Sequence, residues 1–115
     1  MLVGRVMSVK RDPRRNVLVV DTGQNVLRNG RGWQFDVIFE RPARRTIRMD
    51  LKGPLCYETD IVASGVPVPQ GTVRGDLLAF LRCGAYSVAT AFDWSGNYRR
   101  LFVRDGRRIL EEHRR

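Results

Sequence analysis

Hydrophobic and polar positions alternate along most of this chain with a period of two, the spacing of a strand with one face buried. The clearest case is Thr46 to Leu51, where Ile47, Met49 and Leu51 fall on one side and Thr46, Arg48 and Asp50 on the other. Trp33 to Glu40 repeats the pattern with Phe35, Val37 and Phe39. Leu2 to Val9 is apolar and β-branched, and the unbroken run Val17-Leu18-Val19-Val20 within Asn16 to Thr22 suits a strand covered on both faces. Ile61 to Ser64, Asp76 to Arg82, Ser87 to Asp93 and Leu101 to Arg104 complete the predicted series. Turn residues punctuate it: Asp12-Pro13, Asn29-Gly30, Arg41-Pro42, Pro67 to Gly71 and Ser95-Gly96-Asn97. Asp105-Gly106, between Leu101-Phe102-Val103 and Ile109-Leu110, predicts a tight hairpin. No segment keeps a helical period. The expected fold is all-β, a Greek-key barrel or sandwich of about eight antiparallel strands.

The chain's 115 residues make one domain, large enough for a core without staples. A 43% share of hydrophobic residues agrees with a packed globule. No apolar run reaches the length of a membrane span, and the N-terminus lacks the pattern of a signal peptide. With only Cys56 and Cys83 there is no disulfide framework, so the expected compartment is the cytoplasm, with both thiols reduced. The formal charge of +9 comes almost wholly from arginine, since Lys10 and Lys52 are the only lysines. The basic residues are scattered rather than gathered in a tract. A solvated basic surface, an anionic ligand and an acidic partner all stay open. No helix-turn-helix, zinc ligand set or RNA-binding aromatic signature points to nucleic acid.

Chemistry is scarce. His113 is the only histidine and lies in the charged tail, where it is expected to face solvent. The sequence therefore holds no Ser-His-Asp or Cys-His set; it also shows no cluster with metal-ligand spacing and no Gly-rich phosphate loop of the P-loop or Rossmann kind. Cys56 follows Gly53-Pro54, a stiff corner able to aim a thiol, although a free cysteine is often simply a small buried hydrophobe. Cys83 ends an apolar strand and reads as such a hydrophobe. Tyr86, after Gly84-Ala85, either offers its hydroxyl to an anion or sits at a barrel rim. Glu58 and Asp60 would share a face if their segment were a strand, while a turn role for Asp60 competes with that reading.

Four segments carry a resemblance: V-L-V-V-D-T-G-Q-N at Val17 to Asn25, G-P-L-C-x-x-x-D at Gly53 to Asp60, G-D-L-L at Gly75 to Leu78, and G-A-Y at Gly84 to Tyr86. In order and spacing the chain resembles the C-terminal β domain of the fold-type III pyridoxal-phosphate decarboxylases, the diaminopimelate, ornithine and arginine decarboxylase family. Alanine racemase, whose C-terminal domain has a related fold, is a more distant relative. The resemblance implies that residues 1–115 are one C-terminal β domain. It implies a cofactor, pyridoxal phosphate, shared with an N-terminal (β/α)₈ barrel whose motifs are not among these residues. It implies that Cys56 is the acid that protonates the product and that Tyr86 helps hold the cofactor phosphate. Arg28, in Val26-Leu27-Arg28-Asn29, is the nearest equivalent of the family's substrate-binding arginine, and Tyr57 and Asp60 belong to the same substrate-binding set.

Two departures shape the expected function. Members acting on diamino substrates place an acid after the cysteine, where this chain has Tyr57; a phenol is a poor partner for an ammonium. The expected substrate is therefore an acylated, carrier-tethered or otherwise modified amino acid. The second departure is that Lys10 and Lys52 lie in no cofactor-binding motif. Decarboxylation is expected only when a barrel chain completes the site, and the chain alone is expected to be inactive. The exposed barrel-facing surface would serve that partner or self-association. The alternative is a non-catalytic β module that binds a protein or an anionic ligand, since a fold alone does not fix function.

Overall fold

The computed structural model describes residues 1–27, 35–55, 57–83, 90–92, 101–105 and 107–112. Among them run eight strands: β1 (Leu2–Arg11), β2 (Asn16–Val20), β3 (Val37–Phe39), β4 (Thr46–Lys52), β5 (Ile61–Pro69), β6 (Leu77–Phe80), β7 (Leu101–Asp105) and β8 (Arg108–Glu112). Strands β1 to β6 form one sheet in the order β3-β6-β1-β2-β4-β5. Its two edge strands, β3 and β5, come back into contact, so the sheet nearly closes into a barrel. Strands β7 and β8 pair as the hairpin predicted around residues 105 and 106, with Asp105 opposite Arg108.

The local patterns did what their periods require. Met49 and Leu51 are buried and Ile47 packs against them, while Thr46 and Arg48 face solvent. On β2, Val17, Leu18 and Val20 are all buried, as a strand covered on both faces should be. Phe35 and Phe80 meet edge to face, with centroids 6.3 Å apart and planes at 80°, a favoured aromatic geometry. The core they join includes Val6, Leu18, Met49, Leu51, Val62 and Val68. Cys83 packs against this core and its Sγ lies 3.1 Å from the Phe80 carbonyl oxygen, so it is the small apolar residue its strand end suggested.

Two features depart from expectation. Strand β5 runs on to Pro69, although Pro67 and Pro69 suggested a turn. Proline cannot donate to a ladder, but β5 is the last strand of the sheet and has a neighbour on one side only. The second is the pairing of β2 with β4, which is parallel, with Val17 opposite Asp50, Leu18 opposite Leu51 and Val19 opposite Lys52. The sheet is thus mixed rather than antiparallel throughout. Parallel neighbours finish at the same edge, so the loops leaving β2 and β4 emerge side by side.

On the outer face of β3, β6 and β1, Ile38 and Val3 stand in register on either side of Ala79. Both are more than half exposed, and Leu77 adds to the same apolar surface.

Candidate functional site

The candidate site is the corner where those two loops meet. The first follows β2 as Asp21-Thr22-Gly23-Gln24-Asn25; the second follows β4 as Gly53-Pro54-Leu55-Cys56-Tyr57-Glu58-Thr59-Asp60. Asp21 anchors the first loop to β1, accepting from the Arg5 amide at 2.8 Å and donating its own amide to the Arg5 carbonyl at 3.0 Å. The amides of Val26 and Leu27 then turn back onto the Gly23 carbonyl at 3.0 and 2.9 Å.

Asp60 sits between the loops, only 1% exposed. Its Oδ1 accepts from the Gln24 amide at 2.7 Å and its Oδ2 from the Leu55 amide at 2.8 Å. Its own backbone closes the second loop: the Gly53 amide donates to the Asp60 carbonyl at 2.9 Å, and the Asp60 amide to the Tyr57 carbonyl at 3.2 Å. Gln24 returns the grip, its Nε2 donating to the Thr59 and Ile61 carbonyls at 2.9 and 3.1 Å. Charged acceptors of backbone N–H groups make short, strong hydrogen bonds, which is how a buried carboxylate is tolerated here.

The two glycines of the motifs exist for this contact. A Cβ on Gly53 would lie 2.3 Å from Asp60 Oδ2 and 2.3 Å from the Gly23 Cα, and one on Gly23 would lie 2.7 Å from Asp60 Oδ2. No side chain fits between backbones this close.

Tyr57 and Asp60 are both in the corner. Tyr57 is half-buried, whereas the Asp60 carboxylate faces the loop amides. The segment is a turn rather than a strand, so exposed Glu58 and buried Asp60 diverge and form no carboxylate pair. Cys56, Arg28 and Tyr86 lie outside the described residues, as do His113 and most of the expected strand at Ser87 to Asp93. Cys56 is nevertheless bracketed by Leu55 and Tyr57, both bonded to Asp60, and Arg28 directly follows the Gly23–Leu27 turn. Gln24 was not picked out from the sequence. A glutamine in a polar loop carries no signal of its own; its role appears only once Thr59 and Ile61 are beside it. Among the described residues no three His, Cys, Asp or Glu side chains gather as a metal site.

The pyridoxal-dependent decarboxylase C-terminal sheet domain matches residues 1–84. A diaminopimelate decarboxylase from Actinosynnema pretiosum subsp. auranticum is 35% identical over 108 residues, 89% of this chain and 24% of the relative's length. The chain thus spans about a quarter of that relative. Among solved structures, a diaminopimelate decarboxylase from M. jannaschii in complex with L-lysine superposes with a TM-score of 0.83 at 20% identity, over 96% of this chain and 26% of the other. A lysine/ornithine decarboxylase from Vibrio vulnificus complexed with cadaverine gives 0.74 at 25% identity, over 84% and 27%. With strands, corner and matched residues in agreement, the chain belongs to the family of pyridoxal-dependent decarboxylase C-terminal sheet domains.

Proposed function

We propose that this chain is the C-terminal part of a pyridoxal-phosphate-dependent amino-acid decarboxylase and contributes its acid from the Gly53–Asp60 corner to a site completed by a barrel on another chain. One observation carries the reading: Asp60 binds amides of both loops, so the stretch bearing Cys56 and the stretch leading to Arg28 form a single corner.

The cofactor's lysine anchor must come from outside the described residues of this chain. Lys10 is exposed on β1, and Lys52 donates its ammonium to the Glu58 carbonyl at 3.3 Å. The groups that suit a supporting role are the Cys56 thiol and the Tyr86 phenol. When bound, pyridoxal phosphate supplies the electron sink that lets the substrate carboxylate leave as CO₂. In this reading the Cys56 sulfur holds the proton that replaces the lost carboxylate, and the Tyr86 hydroxyl donates to the cofactor phosphate. Arg28 meets the substrate's anionic end. Tyr57, where an acid would pair with a distal ammonium, favours a substrate whose far end is acylated or tethered. The exposed apolar row of Ile38, Val3 and Leu77 supports a partner surface on that face.

The test is co-purification with a barrel chain, followed by turnover and the visible absorbance of the cofactor. Cys56→Ala should lower decarboxylation by about 10²- to 10⁴-fold, the scale of a lost general acid, while the cofactor spectrum persists. Wild-type turnover in that variant would refute the role.

A further inference from the structure

We infer that Asp60 and Gln24 work as one clamp that sets where Cys56 stands relative to the segment carrying Arg28, and that both are positioning residues for the proposed acid. The inference rests on the decarboxylase reading but concerns parts of the chain to which that reading gives no such role.

Asp60 takes an amide from each loop, one per carboxylate oxygen. Gln24 reaches the opposite way, and its side-chain nitrogen holds the carbonyls on both sides of Asp60, those of Thr59 and Ile61. Neither loop can slide along the other without breaking bonds on both residues. A simple turn-capping aspartate would bond within its own loop, as Asp12 does with the Arg14 amide at 2.8 Å. Asp60 bonds within its loop to Leu55 and also across 36 positions of sequence to Gln24.

Steric closure adds a second constraint. With Cβ positions at Gly23 and Gly53 each falling inside contact distance of the Asp60 carboxylate, both loop backbones press on it from either side. The carboxylate is held by shape as well as by hydrogen bonds. Leu55, the residue before Cys56, is buried at 7% exposure with its amide in this grip. The Tyr57 carbonyl after it is also tied to Asp60. The residues on either side of Cys56 are therefore both tied to Asp60. An acid that must meet one carbon of a substrate gains from such preorganisation, because small displacements of a reacting group cost large factors in rate.

The test reads the clamp without turnover. In the wild-type chain and in Asp60→Ala, Asp60→Asn and Gln24→Ala, iodoacetamide labelling of Cys56 and Cys83 is followed by peptide mass spectrometry. Amide exchange at Gln24, Leu55 and the strand residues Leu51 and Val66 is followed by NMR. Release of a local restraint should speed Leu55 exchange by about tenfold or more while the strand amides keep their protection. Cys56 labelling should change by about fivefold once the loop is released, with Cys83 within about twofold of wild type. Asn keeps one acceptor oxygen, so Asp60→Asn should fall between wild type and Asp60→Ala. If the Asp60 variants do not fold, Gln24→Ala carries the test, since it leaves both carboxylate bonds in place. Leu55 exchange no faster than in wild type, or Cys56 labelling left unchanged, overturns the inference. So does a rise shared equally by Cys83 and the strand amides, which would mean general unfolding. In either case the decarboxylase reading still stands on its own assay.

Discussion

Replacing Gly53 with alanine should be among the most damaging single changes in the chain, although it adds one methyl group. That methyl would lie 2.3 Å from a backbone atom, the Gly23 Cα, and 2.3 Å from Asp60 Oδ2. Carbon atoms rest at about 3.5–4.0 Å, so the overlap exceeds an ångström and no flexible side-chain tip can relieve it. One outcome is strain of the order of ~1–3 kcal/mol from overpacking. The other is separation of the loops, which surrenders the Gln24 amide's bond to the carboxylate, worth about 1.5–3 kcal/mol, and the two Gln24 Nε2 bonds to the Thr59 and Ile61 carbonyls, about 0.5–1.5 kcal/mol each. The two routes bracket the cost between ~1 and 6 kcal/mol, a melting-temperature fall of roughly 4–24 °C for a domain of this size. Gly71→Ala is the control, because its Cβ would meet only Arg41 Cδ at an ordinary 3.5 Å. Its effect should stay within about 0.5 kcal/mol. Thermal melts followed by far-UV circular dichroism measure both. If Gly53→Ala melts within about 3 °C of wild type, the close approach of the two loops is wrong.

Two further outcomes follow from other parts of the sheet. Leu51→Ala empties a fully buried position opposite Leu18 and should cost about 2–5 kcal/mol in denaturant unfolding. Ile38→Ala, exposed on the outer face, should change stability by less than about 0.5 kcal/mol. Near the β5–β6 connection, the Arg41 guanidinium binds Asp76 at 2.9 and 3.0 Å, and the Val73 amide also donates to it. The Arg41 hydrogen bond, then the Val73 amide, hold the Asp76 carboxyl below its ordinary 3.8. A depressed carboxyl stabilises the fold above its unfolded value, and that contribution fades as pH falls through the lower folded value. Asp76→Asn should therefore be less stable than wild type at neutral pH, and the gap should close below pH 3.8. A gap that persists undiminished in acid unfolding would place its origin elsewhere.

Most of the strands were legible because their signal is local. A period of two on β4 fixes which residues face inward wherever the strand is placed, and an apolar run on β2 calls for cover on both faces. Strand β5 was read too short because proline removes a ladder donor, a rule whose force depends on whether a neighbour strand needs that donor. The sequence also marked the corner, through Gly53-Pro54 and Asp60, but left Asp60 between a substrate contact and a turn. Only the distant Gln24 amide shows how its carboxylate is used.

What the chain's residues determined by themselves was an all-β domain with the motifs of a decarboxylase family. What tertiary structure alone decided was that β2 and β4 run parallel. No hairpin can encode that pairing, because parallel neighbours are joined only through distant chain and are chosen by the burial of the whole sheet. That choice sends both loops out at one edge, and there the Asp60 carboxylate takes the Gln24 amide while the Gln24 side chain takes the carbonyls on either side of Asp60.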